Sequence, residues 1–320
     1  MNAWFWRCVV AGSLLSAVLW CSYWWSRCAV MALAGVLLLA SAAGLQLGVQ
    51  MLLMRRLLRR RAVALPPPAV AFRAWLGEWR CALQIFGWQI PFREHAQPDA
   101  LSAAVLGASP QGRVGMVLVH GYFCNRGVWN RWLRGLRARG IPCAAMTLEP
   151  AHGGTMDEMV GDLDRSVKAM VRATGRAPLL VAHSMGGLVV RAWLKTLSAR
   201  ERAQCAAHVV TIATPHRGAW LGRFAQRLPA RDMREHSAWL QQLGLPPEDV
   251  GFSCWCSSSD NIVYPPDLAV LSRARVHQVD DAAHIQLLCD ARVWRHCLQL
   301  NAELQGGPNQ TMGLAAGGGS

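Results

Sequence analysis

Lysine is almost missing from this 320-residue chain. It stands only at Lys168 and Lys195, and arginine carries the rest of the basic charge. Acidic residues are also few, 19 against 33 lysines and arginines, which leaves a net charge of +14. Such a balance raises nucleic acid as a partner. No nucleic-acid module is present, however, and the arginines are scattered along the chain. The arginine bias fits a GC-rich genome better than a binding face, and attraction to an anionic membrane surface is the better account of the charge. The sequence also lacks a CxxC pair and any Cys/His spacing suited to a metal, so no metal and no cofactor is expected. Its 11 cysteines are odd in number and irregularly spaced, and Cys254 and Cys256, flanking Trp255, are too close for a routine bridge. They read as reduced structural thiols of a cytoplasmic domain.

What the chain has in excess is apolar sequence at its N-terminus. Cys8 to Trp25 is apolar and almost free of charge, Ser26-Arg27 interrupts, and Cys28 to Met54 then runs uncharged. The second stretch is long enough for a transmembrane helix. Trp4 and Trp6 at one end of the first stretch, with Trp20, Tyr23, Trp24 and Trp25 at the other, have the placing of headgroup aromatics. The first span is short, since Trp6 to Trp20 is roughly 21 Å at helical rise. Arg55, Arg56, Arg59, Arg60 and Arg61 follow the second span and, by the positive-inside rule, stay in the cytoplasm. One or two spans therefore anchor residues 1–61 in an inner or plasma membrane, with the remainder facing the cytoplasm. A cleaved secretory signal ending near Ala40-Ser41-Ala42 is the rival, but the apolar stretch continues past it into the arginine block.

Residues 62–111 read as a linker, stiffened by Pro66-Pro67-Pro68, and a membrane-proximal helix from Val70 to Trp88. That helix is expected either on the membrane surface or packed on the domain that follows. Residues 112–304 alternate short apolar runs with helical stretches. Strands are expected at Val114–Val119, Cys143–Leu148, Leu179–Ala182, Val209–Ala213, Phe252–Cys256 and Arg275–Val279. Helices are expected at Asn130–Arg139, closed by Gly140, and at Met156–Ala173, with acids early and bases late. The alternation predicts an α/β fold, a mainly parallel sheet with helices on both faces, preceded by a helical hairpin. Residues 305–320, rich in glycine, are expected to be a disordered tail.

Chemistry collects at the carboxyl ends of strands in such sheets, and each polar motif falls there. Leu179-Leu180-Val181-Ala182 runs into His183-Ser184-Met185-Gly186-Gly187 and then into a helical stretch. A strand–turn–helix with small residues on either side of a serine lifts the hydroxyl above the sheet edge, which makes Ser184 a candidate nucleophile. Acyl transfer also needs backbone N–H groups aimed at the developing oxyanion. Val119-His120-Gly121-Tyr122 ends the first strand, so the N–H groups of Tyr122 and Met185 are the expected donors and His120 a structural histidine. The base must be another histidine. His183 is expected to project away from the serine, and His216 follows a strand but is the weaker choice. His284, just after the last strand, can swing over Ser184. Asp260, at the end of the preceding strand, is the expected partner of His284, ahead of Asp280, Asp281, Asp249 and Asp267.

His120-Gly121, Ala182 to Gly187, Ser257 to Val263 and His284 to Leu288 together resemble the lipase/esterase branch of the α/β-hydrolase superfamily. The likeness is to bacterial triacylglycerol lipases whose serine turn begins with alanine. Thr214-Pro215-His216-Arg217-Gly218 is similar to a segment common in triacylglycerol lipases. The resemblance spans about residues 112 to 300, and its four motifs come in order. It implies the α/β-hydrolase fold and the roles of Ser184, Asp260 and His284, and suggests an ester, most simply a lipid, as substrate. Residues 218–247, rich in Trp and Leu, stand where a cap over the site or a packed helix pair is expected. Calcium, a feature of some lipases, has no support in the sequence. The expectation is a membrane-anchored serine hydrolase of lipid esters. Acyl transfer to an alcohol or thioester cleavage by the same three residues, and a membrane-tethered module without catalysis, are the alternatives.

Overall fold

A computed structural model of the chain describes residues 2–150 and 154–306. Two long helices, α1 (Asn2–Trp24) and α2 (Ala29–Arg60), fold back on each other across a short turn where the Trp20 indole donates to the Met31 carbonyl. Both are long and apolar enough to cross a membrane, and most of their large apolar side chains face outward. At 23 residues, α1 is unbroken and about 34 Å long, longer than the Trp6–Trp20 spacing predicts. Helix α3 (Pro68–Gln84) starts with proline in its first turn, where no N–H is needed. It widens into a single π turn, Ile85–Gln89.

The expected Val70–Trp88 helix is thus present, but it neither lies free nor packs wholly. Ala74, Glu78 and Ile85 are buried on one face, while Phe72, Leu83 and Trp88 are exposed on the other.

The sheet has six strands in the order β2-β1-β3-β4-β5-β6, all parallel. They are β1 (Met116–Val119), β2 (Cys143–Ala145), β3 (Leu179–His183), β4 (His208–Ile212), β5 (Phe252–Ser257) and β6 (Arg275–Val279). The connecting helices are α4 (Asn130–Arg137), α5 (Val160–Thr174), α6 (Met185–Thr196), α7 (Ala199–Cys205), α8 (Ala238–Leu243) and α9 (Ala291–Gly306). Side chains alternate across the strands. Met116, Leu118, Leu179 and Val181 join a core with Trp132 and Leu133 of α4 and Val293 and Cys297 of α9. Val117, Val119, Leu180 and Ala182 join the opposite core with Leu163 and Val167 of α5 and Leu188 and Val189 of α6. Strands buried on both faces read as continuous apolar runs, which is why they were legible.

Strand ends differ from expectation where a specific partner competes. β2 stops at Ala145 because the Leu148 N–H turns away to the His120 imidazole. β1 starts at Met116 because the Val114 N–H and carbonyl are taken by Gln305 and Asn301 of α9. Met156–Met159 forms an irregular turn ahead of α5. Residues 218–247 are not a helix pair: a 3₁₀ turn at Trp220–Phe224 and the short α8 are their helical parts. α9 reaches Gly306 and so takes in residues 305 and 306, the first two of the expected tail; residues 307–320 lie outside the described residues.

The chain leaves β1 toward β2 and returns to β3 on the other side of β1, so the strand order reverses between β1 and β3. A crevice opens at the carboxyl ends of strands at such a reversal, and Gly121 and Ser184 stand on either side of it.

Candidate active site

Ser184 caps β3 and precedes α6 with φ +52° and ψ −127°, in a region that side-chain-bearing residues rarely adopt. Such a conformation costs on the order of 1–3 kcal/mol and persists only where its surroundings hold it. The Ser184 N–H donates to the Ile212 carbonyl of β4 at 2.8 Å, which pins the turn from one side. The other side depends on glycine. A Cβ on Gly186 would lie 2.5 Å from the His120 carbonyl oxygen and 2.8 Å from that of Val119, and a Cβ on Gly121 would lie 2.8 Å from Ser184 Cβ. Gly186→Ala therefore forces backbone apart. Overpacking of this kind costs about 1–3 kcal/mol; the expected result is a melting temperature lower by about 5 °C, with ester turnover falling along with it. Unchanged thermal denaturation would show that the crossing is looser than it stands.

His284 Nε2 lies 3.0 Å from Ser184 Oγ, and its Nδ1 lies 3.0 and 3.1 Å from the two Asp260 oxygens. With Asp260 ionised, Nδ1–H donates to the carboxylate and Nε2 accepts the serine proton. Asp260 is 1% exposed, and its Oδ1 also accepts the Ile262 and Val263 N–H groups. Burial disfavours the charged His284, but the Asp260 carboxylate and its hydrogen bond, with Glu78 adding, outweigh burial and hold the imidazole above its ordinary pKa. Tyr122 follows Gly121, which abuts Ser184, and Met185 opens α6. The first N–H groups of a helix have no intrahelical acceptor and sit at its positive end.

The other candidates have different partners. His120 accepts the Leu148 N–H at Nε2 and donates from Nδ1 to the Gly121 carbonyl; burial pushes it down to about 4, so it stays neutral. His216 is buried among Arg191, Thr211 and Cys254, and burial, then Arg191, holds it well below its ordinary value. Asp281 pairs with Arg292, Asp249 with Arg202, Asp267 with Arg217, and Asp280 takes the Ser258 hydroxyl. His183 contacts His284 from the turn itself. Its Nε2 donates to the His284 carbonyl at 3.2 Å, and the two rings are 4.8 Å apart.

Sequence reasoning missed this support and three more residues. The Asn261 amide oxygen accepts the His284 N–H, and the Asn261 amide nitrogen donates to Gln50 of α2 at 2.6 Å. Glu78 of α3 accepts the Ile285 and Gln286 N–H groups. A signal for Glu78 existed: it is the only acidic residue among the first 93. Among the described residues no group of three or more His, Cys, Asp and Glu side chains is placed to hold a metal.

A reversal-point crevice holding a serine on a strand–helix turn, with a histidine and an aspartate from later strand ends, defines the α/β-hydrolase class. The chain belongs to the alpha/beta hydrolase family, whose sequence model matches residues 116–301. No curated protein matches it. The mature form of the Bacillus licheniformis lipase BlEst2 superposes with a TM-score of 0.51 at 16% identity, covering 59% of this chain and 92% of that one. Aspergillus fumigatus lipase B is similar over 55% of this chain and 49% of its own, with a TM-score of 0.47 and 15% identity. The Bacillus likeness supports the fold.

Proposed function

We propose that this chain is a membrane-anchored serine hydrolase of carboxylic esters, of the lipase/esterase branch, with Ser184 as nucleophile. The observation that carries the reading is the hydrogen-bonded line from Ser184 through His284 to Asp260 in a family member. Ser184 Oγ attacks the ester carbonyl while His284 Nε2 takes its proton. The Tyr122 and Met185 N–H groups hold the oxyanion. The imidazolium, stabilised by Asp260, then protonates the leaving alcohol, and water releases the acyl group through the same histidine.

The substrate reading comes from the hairpin. Its outward apolar side chains, Leu14, Leu15, Leu33, Leu37 and Leu38 among them, have no protein to cover them, which suits a bilayer as solvent. Both arms of the hairpin rest on the catalytic domain: Trp6 donates to the Phe123 carbonyl and Gln50 accepts from Asn261, while Arg7 donates to the carbonyl of Pro91 in the segment before the domain. The domain and the N-terminus then share one side of the membrane, which the arginine block assigns to the cytoplasm. A lipid or acyl ester drawn from the same bilayer is the substrate proposed.

The experiment is a substrate panel on the full chain reconstituted in vesicles: short soluble esters, vesicle-borne acylglycerols and phospholipids, thioesters, and competing alcohol acceptors. Fluorophosphonate-sensitive release of fatty acid is the expected result. Ester or amide products with an added acceptor would move the reading to acyl transfer, and no turnover with no labelling would end it. The pH profile carries a signed expectation. His284 serves as base only when neutral, and its pKa is raised. The acid limb of kcat/KM should therefore lie above about pH 6.5, the ordinary histidine value; a limb near pH 5 contradicts the assignment.

A further inference from the structure

We propose that helix α3 and the end of α2 are working parts of the active site: Glu78 is a positioning residue for His284, assisted by Gln50 through Asn261. The base is thus aligned only while the hairpin is seated on the domain. This rests on the reading of His284 as the base.

The loop carrying His284 has no regular structure before the 3₁₀ turn at Gln286–Cys289. Its N–H groups at 284, 285 and 286 therefore have no ladder to join, and each must find a partner because buried backbone donors are costly to leave alone. All three are met by side chains from elsewhere. The His284 N–H donates to Asn261 Oδ1 at 3.2 Å. The Ile285 N–H donates to both Glu78 oxygens at 3.0 Å, and the Gln286 N–H donates to Glu78 Oε2 at 2.8 Å. The Gln286 side chain closes the loop by accepting the Ala283 N–H.

Glu78 is 3% exposed and has no Arg or Lys ion-pair partner among the described residues. Burying a carboxylate without an ion-pair partner is costly, so stability does not account for its place here. Its two backbone contacts instead fix the peptide that follows His284. The titratable groups that face it are His284 and Asp260 from the loops, Cys81 on its own helix, and Cys289. Burial raises it to about 7, against the Ile285 N–H and the nearby His284.

The helices are built to hold that carboxylate in place. Gly77 lets α3 press on Gln286, whose Cδ would lie 2.5 Å from a Cβ there. Trp75 donates to the Gly44 carbonyl of α2, and Trp79 stacks on Trp75 against the same glycine. Met51, Met54 and Leu58 of α2 and Ala74 of α3 share one core with Tyr264 and Ala283. Ala283 adjoins His284, and Tyr264 lies on the Asp260 loop.

The test uses the full chain in vesicles with a soluble ester. Glu78→Gln removes the charge and places an amide donor against an N–H. A misplaced base of this order costs about 10²-fold, so kcat is expected to fall 10- to 100-fold with KM within about twofold, and fluorophosphonate labelling to slow in step. Loss of the carboxylate also withdraws support from the imidazolium, so the acid limb should move to lower pH, which simple loosening would not cause. Gln50→Leu, which removes no charge, should lower kcat several-fold with the limb unmoved, and it carries the test if Glu78→Gln does not fold. A kcat within twofold of wild type in the folded variants overturns the proposal. If the wild type itself turns over no ester, the functional reading has failed instead. The His284 imidazole titration, followed by NMR, then decides: a lower pKa in Glu78→Gln supports the contact, an unchanged one overturns it.

Discussion

Replacing Ser184 by alanine is expected to lower ester turnover by about 10⁶-fold and to abolish fluorophosphonate labelling, leaving what the oxyanion donors and binding alone provide. The size follows from the division of labour. In the proposed mechanism His284 and Asp260 act only through the serine oxygen, so without it both become spectators. The fold should survive the change. Alanine at φ +52° is no more strained than serine, the Ile212 carbonyl still takes the backbone N–H, and one hydrogen bond to His284 is lost. A net loss of about 1 kcal/mol is the expected limit. Full turnover in a folded Ser184→Ala protein would remove Ser184 from the mechanism.

Asp260→Asn should be nearly as severe, about 10⁴-fold in kcat, for a different reason. The Ile262 and Val263 N–H groups both donate to Oδ1. The asparagine carbonyl is therefore held on that side, and its NH₂ faces His284 Nδ1. An NH₂ there donates, so Nδ1 must accept, and the ring proton moves to Nε2. The imidazole then meets Ser184 with a proton where a lone pair is needed. Turnover should recover partly at high pH, where hydroxide can take the serine proton. A loss below tenfold, measured on short soluble esters, would show that Asp260 does not set the tautomer.

The strand cores and the serine turn were legible because local chemistry alone decides them. Leu179–Ala182 is apolar on both faces, and the Ala182 and Gly186 spacing admits a close backbone crossing. The order of Asp260 and His284 along the chain was legible too, since both follow strands. Strand ends were not, because side chains distant in sequence set them: Gln305 and Asn301 for β1, His120 for β2. The supports of His284 were hidden for the same reason. Glu78 lies 207 residues from its Ile285 contact, so only the folded chain could pair them. The 218–247 segment left a cap and a helix pair equally open, because Trp220, Leu240 and Leu243 suggest helical faces. Its backbone is instead taken up by turns, with Arg234 donating to carbonyls at Gly222, Arg223 and Ala225.

The two arms of the hairpin, fixed to the domain at Trp6 and again at Gln50, leave the molecule no leash. On the membrane reading, such a molecule cannot swing out to sample a facing vesicle or the bulk solution. Its search is two-dimensional. Supply of a lipid ester then depends on lateral diffusion and on its mole fraction in the same leaflet, so that diluting the suspension changes nothing while diluting the bilayer with inert lipid slows its turnover.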